Sequence, residues 1–127
     1  KGVFDWWLAK GKPGYVAHPW ASLDDALGWI TGAGGVAVVA HPGRYRLSRA
    51  EMDVMLSTFK DLGGIGIEVL SGSHNEEHVR DYAHMARHYG FLASRGSDFH
   101  GPGESWVDLG RLPDLPNDLT PIWTRLQ

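Results

Sequence analysis

The chain has 127 residues, 43% of them hydrophobic and 21% charged, which is typical of one globular domain with a sizeable core. Its formal net charge of −3 argues against a broad nucleic-acid surface, which is normally basic, and points to small or short substrates. Because cysteine is absent, disulfides and thiolate metal sites are excluded, and any metal must be held by His, Asp, Glu and water. No apolar run approaches the roughly 20 residues of a membrane span and no signal peptide opens the chain, so we expect a cytoplasmic protein without membrane partners.

The first part of the chain predicts two helices joined by a loop. Apolar residues at helical spacing predict a short helix over 3–10, which the glycines and proline of residues 11–14 end. We expect residues 1–20 to form a helix and loop leading into the main domain, residues 21–127. A second helix is predicted from Ser22, whose hydroxyl suits the N-cap, to the glycines of residues 32–35.

Three largely apolar runs, at residues 36–40, 65–69 and 91–93, predict strands. The first is uninterrupted, as in strands covered on both faces, and the second is apolar except for Glu68. Helical patterns separate them, and Ser-x-x-Glu capping boxes at residues 48–51 and 73–76 mark where two of these helices begin. A closing helix is predicted near residues 119–126. Strands that alternate with helices favour an α/β fold with right-handed crossovers and a parallel sheet. In such folds, ligands bind at the carboxyl ends of the strands.

The carboxyl ends of these strands carry the candidate metal ligands. Asp98 and His100 are two residues apart after the third strand, so their side chains point the same way and could grip one metal ion. The alternative is a polar pair that caps a turn. His41 follows the first strand and is a further ligand candidate, with a histidine satisfied by a backbone carbonyl as its alternative.

Glu68, inside the second strand, is costly to bury unless it is paired. It either forms an ion pair with Arg44 or Arg95, or orients a ligand or the substrate. Arg44, three residues after His41, is predicted to place its planar guanidinium on a phosphate, whereas Arg46 is predicted to be solvated.

A polar stretch after the second strand has two compatible interpretations. Ser71, Ser73 and His74 cap a helix, and the donor-rich start of that helix is also an anion site. The i, i+4 pair of His84 and His88 mimics a zinc-binding face but is predicted to lie at the surface, with His78. Lys12 is predicted to be a solvated loop lysine, with contact to a phosphate as the alternative. The role of His18 is open, and solvent exposure or loop packing is favoured. The six tryptophans are predicted to pack in the core or a domain interface, with base stacking as the alternative.

Three motifs in this order resemble the PHP (polymerase and histidinol phosphatase) domain of phosphoesterases. They are Ala-His-Pro-Gly-Arg-Tyr at 40–45, Gly-Ile-Glu-Val at 66–69 with Ser-Gly-Ser-His at 71–74, and Gly-Ser-Asp-Phe-His at 96–100. The Gly-Lys-Pro-Gly-Tyr-Val segment at 11–16 and the helix over 20–30 resemble one branch of that family, the nucleoside 3′,5′-bisphosphate phosphatases, also called RNase AM or TrpH-like proteins.

The resemblance implies a distorted β/α barrel that holds two or three divalent transition metal ions and hydrolyses a phosphate ester. Manganese is the first choice of metal, with zinc or iron as alternatives. The family pattern assigns metal ligation to His41, Asp98 and His100, and His100 is also a candidate for proton transfer to the leaving group. Arg44 falls where a phosphate-binding arginine is expected, and we add Glu68, Ser71 and His74 as substrate-contact candidates.

The family's opening His-x-His motif does not occur in these 127 residues. We therefore expect the chain to be the C-terminal part of the barrel, with the first-strand half absent, and to be inactive alone. The expected substrate of the full-length enzyme is a nucleoside 3′,5′-bisphosphate or the 5′ end of short RNA. Two alternatives are another PHP phosphatase, such as one acting on histidinol phosphate, and a folding or association module. If half of the barrel is absent, some tryptophans are expected to be exposed, and association with another chain, including self-association, is then expected.

Overall fold

A computed structural model of the chain describes residues 2–126. It contains three α-helices, namely α1 (Leu23–Gly32), α2 (Arg49–Asp61) and α3 (Glu76–Tyr89), and three strands, namely β1 (Val38–Val39), β2 (Gly66–Ser71) and β3 (Leu92–Gly96). Short turns of other helix types lie at Phe4–Leu8, Pro42–Arg44 and Ile122–Arg125. Within these residues, no helix is both long enough and apolar enough to cross a membrane.

The sheet is parallel and its strand order is β1-β2-β3. Successive strands are neighbours, and α2 and α3 form the two crossovers, as the alternating pattern predicted. A register shift between Glu68 and Leu70 interrupts the pairing of β2 with β3. On the far side of β3, Ala93 bridges to Pro121, and its N–H donates to the carbonyl of Thr120 at 2.9 Å. The predicted α/β class is confirmed.

The core lies between the sheet and the helices α2 and α3. Ile67 and Val69 of β2 and Leu56 of α2 have no exposed surface. Apolar side chains from both helices and from β3 complete this core, among them Met52, Phe59, Tyr82, Ala83, Ala86 and Ala93. Glu68 and Ser94, which face each other in the register, are only partly buried, so the other face of the sheet is less covered.

Each of the three α-helices starts after a residue whose side chain caps its first turn, and two of these caps are the predicted ones. The hydroxyls of Ser22 and Ser48 accept N–H groups of the first turns of α1 and α2, and Ser48 forms the complete predicted capping box with Glu51. The box predicted at residues 73–76 is wrong, because Asn75 caps α3 by accepting the N–H of His78.

Three other predictions are corrected. The first strand shortens to two residues. The closing helix over 119–126 is a single 3₁₀ turn, because Pro121 has no N–H to continue a helix from before it. The tryptophans do not pack in the core: all six are exposed, from 43% for Trp123 to 94% for Trp106.

We predict that Leu56→Ala will lower the free energy of unfolding by about 2–5 kcal/mol, because it leaves a cavity at a fully buried position. Val54→Ala, two residues earlier on the exposed face of α2, is the matched control and should change stability by about 0.5 kcal/mol or less. Urea unfolding followed by circular dichroism measures both. Equal effects of the two substitutions would contradict the described packing of α2.

Candidate active site at the carboxyl edge of the sheet

The loops that follow the three strands meet at one edge of the sheet. His41 follows β1, Gly72 follows β2, and Ser97 and Asp98 follow β3. The N–H of Gly72 donates to the carbonyl of Gly96 at 3.1 Å, and a Cβ at residue 72 would lie 2.0 Å from the carbonyl oxygen of Ser97. Only glycine therefore permits the exits of β2 and β3 to approach so closely.

Both strand exits that carry candidate ligands have a left-handed backbone. His41 has φ +31° and Asp98 has φ +53°, and they are the only non-glycine residues with positive φ in the described range 2–126. Such conformations cost on the order of 1–3 kcal/mol and persist where surrounding contacts enforce them, typically at functional sites. The strain therefore marks the same two residues that the motifs single out.

Glu68 supplies one of the enforcing contacts. Its carboxylate accepts the backbone N–H of His41, so β2 holds the loop that follows β1. Burial raises the pKa of Glu68 above its ordinary value, and the nearby Asp98 adds to this effect, while the His41 N–H opposes it. The alternative ion pair with Arg44 or Arg95 is not formed, because these arginines pair with Asp98 and Asp114 respectively.

The imidazole of His41 has an unsatisfied nitrogen. Its Nδ1 is buried and has no hydrogen-bond partner within the described part of the chain. A buried polar atom without a partner costs about 1–3 kcal/mol. The alternative of a histidine satisfied by a backbone carbonyl at this atom is thus not observed. A metal ion or a donor group from outside residues 2–126 would satisfy this nitrogen.

Asp98, His100 and Arg44 form the polar centre of the edge. His100 Nδ1 lies 2.6 Å from the carbonyl oxygen of Asp98 and donates to it, which leaves Nε2 as the ring's acceptor. The same Nδ1 is 3.9 Å from Asp98 Oδ1. Arg44 Nη1 donates to Asp98 Oδ2 at 3.0 Å. Metal-binding histidines commonly have this arrangement, with one nitrogen bound to a carbonyl and the other free.

This centre opens into a cleft of about 780 Å³, a volume typical of small-molecule sites. The cleft is lined by charged, hydroxyl-bearing and aromatic residues, namely Phe4, Asp5, Arg44, Gly72, Ser73, Ser97, Asp98, His100, Glu104, Ser105 and Trp106. His41 does not line it. Among residues 2–126, no three His, Asp or Glu side chains are grouped so that they could hold a metal ion together.

His74 lies beneath the loop that follows His41 rather than in the cleft. Its Nε2 accepts the N–H of Gly43 at 3.2 Å, and its Nδ1 donates to the carbonyl of Val69 at 3.0 Å. Its ring stacks on Tyr82, with 5.1 Å between centroids. Burial lowers the pKa of His74 below its ordinary value. The neutral ring therefore joins the loop to β2.

Sequence reasoning missed this role because Gly43 and His74 are 31 residues apart. The one sequence signal was the glycine at position 43, which indicates a close approach to another part of the chain. In the structure, a Cβ at this position would lie 2.8 Å from the ring of His74 and 2.9 Å from that of His78. Ser71 is 2% exposed, and its hydroxyl oxygen lies 3.3 Å from that of Ser73.

The remaining candidates stay outside the cleft. His84 and His88 are exposed on α3, with stacked rings 6.4 Å apart. His18 packs edge-on against Trp20, and Lys12 and Arg46 are exposed.

No family model matches the chain. A 3′,5′-nucleoside bisphosphate phosphatase of Chromobacterium violaceum is 52% identical over 125 residues, and the 5′-3′ exoribonuclease Rnm of Escherichia coli is 38% identical over 121 residues. These alignments cover 98% and 95% of this chain but 44% and 41% of the relatives, in their C-terminal parts.

The predicted resemblance is confirmed. The chain is homologous to the C-terminal part of these phosphoesterases and spans less than half their length. An amidohydrolase structure from Chromobacterium violaceum, with bound sulfate and no metal, matches 98% of this chain and 43% of its own, with TM-score 0.81 and 52% identity. A Bifidobacterium adolescentis protein assigned as a metal-dependent phosphoesterase matches 98% of this chain and 42% of its own, with TM-score 0.60 and 27% identity.

We predict that His74→Gln will flatten the pH dependence of stability. The unfolded chain protonates His74 near its ordinary pKa of about 6.5, whereas the folded protein does so only at lower pH. The stabilisation from neutral His74 is therefore present above pH ~6.5 and lost as the pH falls below it. Denaturant unfolding between pH 7.5 and 5 should show a steeper loss for the unsubstituted protein than for His74→Gln.

The matched control is His84→Gln, which alters an exposed histidine of α3 and should retain the unsubstituted pH profile. An identical profile for the two variants would show that His74 does not couple protonation to folding.

Proposed function

We propose that the full-length protein is a metal-dependent phosphoesterase that hydrolyses a phosphate ester of nucleoside 3′,5′-bisphosphates or of the 5′ ends of short RNA. The observation that carries this proposal is the Arg44–Asp98–His100 centre at the carboxyl edge of the parallel sheet. Two relatives support the substrate class, because they are named for bisphosphate hydrolysis and for 5′-3′ exoribonuclease activity. In this proposal, residues 21–127 contribute the C-terminal strands of the barrel, residues 1–20 lead into them, and the enzyme works in the cytoplasm.

His41, Asp98 and His100 offer donor types that suit a divalent transition metal, although within residues 2–126 they are not grouped closely enough to hold one together. His41 Nδ1 is buried without a partner, His100 keeps Nε2 as an acceptor, and Asp98 offers a carboxylate at a strained backbone position. Imidazole nitrogen and carboxylate oxygen suit manganese, zinc and iron, of which we propose manganese, with two or three ions in the full-length enzyme. When bound, such ions supply Lewis-acid polarisation of the phosphate ester.

Arg44 is the proposed phosphate-binding residue. Its guanidinium lines the cleft beside Asp98 and presents several N–H donors in one plane, which matches the oxygens of a phosphate. The bound sulfate in the metal-free Chromobacterium violaceum structure supports anion binding in this type of protein without metal. Ser73 and Ser97 add hydroxyl groups to the same cleft.

Glu68 and His74 are proposed to position the loop that carries His41 and Arg44. Glu68 accepts the N–H of His41, and His74 accepts the N–H of Gly43. Both side chains therefore influence the substrate through that loop. Ser71, which is buried, is proposed to support Ser73 at the cleft wall. His100 is proposed to stand near the leaving oxygen, where Nε2 could exchange a proton with it.

Exposed apolar side chains support the proposal that this part of the protein associates with further protein surface, including a second copy. Five large apolar residues of the N-terminal region that do not line the cleft are more than half exposed, namely Val3, Trp6, Trp7, Val16 and Trp20. Because the described residues lack a three-ligand cluster, we expect these 127 residues alone to show no measurable turnover.

Asp98→Asn in the full-length protein should lower bound transition metal, measured by elemental analysis, and reduce bisphosphate hydrolysis by at least 100-fold. The amide keeps the shape of the carboxylate but removes the charge that binds a cation. Asp61→Asn, at the exposed end of α2, is the control and should retain metal and activity. Turnover that survives Asp98→Asn would rule out the proposed chemistry.

Arg44→Ala should reduce kcat/KM for a nucleoside 3′,5′-bisphosphate by about 10- to 150-fold, because a charge-assisted hydrogen bond is worth about 1.5–3 kcal/mol. Arg46→Ala, an exposed arginine two residues away, should have little effect. A parallel assay with histidinol phosphate separates the substrate classes: preference for that compound would contradict the nucleotide assignment.

A further inference from the structure

Trp106 is an exposed indole in the wall of the candidate active site. Its side chain is 94% exposed, yet it lines the same cleft as Arg44, Asp98 and His100. Phe4, which is 59% exposed, lines this cleft as well. Large aromatic faces left open beside a charged centre need an explanation, because contiguous exposed apolar surface usually marks a binding site.

A closed turn fixes the place of Trp106 relative to His100. The N–H of His100 donates to Ser105 Oγ at 2.6 Å. The N–H groups of Glu104 and Ser105 both donate to the carbonyl of Gly101, at 3.1 and 3.3 Å. Gly103, with φ +78°, supplies the left-handed residue of this turn. Trp106 follows the turn directly, so its backbone is placed near His100, and its side chain lines the cleft that contains the proposed phosphate centre.

We propose that Trp106 is a specificity-determining residue on which the nucleobase of the substrate stacks while Arg44 holds a phosphate. This inference rests on the proposed function. It adds a contact for the nucleobase, which the centre of Arg44, Asp98 and His100 does not bind. Every base has a π-face, so a stacking wall recognises nucleotides with little discrimination among bases. Phe4 extends the apolar wall that the base meets.

The exposed tryptophans outside the cleft provide a matched control. Trp20 is 88% exposed, similar to Trp106, but it does not line the cleft. A general effect of removing an exposed indole, on solubility or association, would appear in both variants. An effect on base recognition would appear only in Trp106→Ala.

The test compares adenosine 3′,5′-bisphosphate with its base-free analogue, 1-deoxyribose 3,5-bisphosphate, in the metal-loaded full-length protein. Trp106→Ala should lower kcat/KM for the nucleotide at least tenfold, mainly through KM, and change the value for the base-free analogue less than twofold. Trp106→Phe should recover most of the loss because it restores an aromatic face. Trp20→Ala should leave both substrates unchanged.

Equal losses on the two substrates would overturn the inference, because they would assign Trp106 to the support of His100 rather than to the base. Unchanged kinetics on both would overturn it too. Equilibrium dialysis with labelled adenosine 3′,5′-bisphosphate separates the two proposals. Binding without hydrolysis that weakens at least tenfold in Trp106→Ala supports stacking and rejects the phosphoesterase, whereas no binding by the unsubstituted protein rejects both.

Discussion

The contact between the Glu68 carboxylate and the backbone N–H of His41 is the one on which the site depends. It joins the middle of β2 to the loop after β1, and that loop carries His41, Gly43 and Arg44. Without this contact, the N–H of His41, whose backbone is left-handed, would lose its partner. The half-buried carboxylate of Glu68 would lose a hydrogen-bond donor. The free-energy cost of burying the Glu68 carboxylate is thus offset by a hydrogen bond from a backbone N–H instead of by an ion pair.

A second layer of contacts supports the first. His74 bridges Gly43 and Val69, and Gly72 permits the exits of β2 and β3 to meet. Arg44 then reaches across to Asp98. His74 and Gly72 thus connect strand exits without touching a substrate in the proposed function, and the Arg44–Asp98 contact joins two groups that are proposed to act on it. Such support is what holds the groups of an active site within the small tolerances that catalysis requires.

Much of the fold follows from short-range chemistry and could be predicted from the sequence. The caps at Ser22 and Ser48 depend on residues within one helical turn, and the order of strands and helices depends on apolar periodicity. The predicted N-cap of α3 is wrong because Ser73 and Asn75 are both suitable N-cap residues, and the local sequence does not show which of them caps the helix. The prediction that the tryptophans pack in the core is wrong, because their burial depends on which other parts of the protein surround them, and apolar periodicity does not encode this.

The candidate site likewise contains residues that the local sequence indicates and contacts that only the tertiary structure shows. Asp98, His100 and Arg44 stand out because motif spacing and strand ends indicate them, and the structure brings them into one cleft. The contacts of Glu68 with His41 and of His74 with Gly43 span 27 and 31 residues, so only tertiary structure reveals them.

The left-handed backbone at His41 and Asp98 has a consequence for how this protein balances stability against activity. Glycine would adopt these angles with less strain, so both positions retain side chains at the expense of folding free energy. Stabilising substitutions are therefore available at these two positions, and each would remove the atoms that make the strand exit useful. Substitutions that raise the thermal stability of this chain should therefore be sought at other positions, because the strained residues His41 and Asp98 are also the candidate metal ligands.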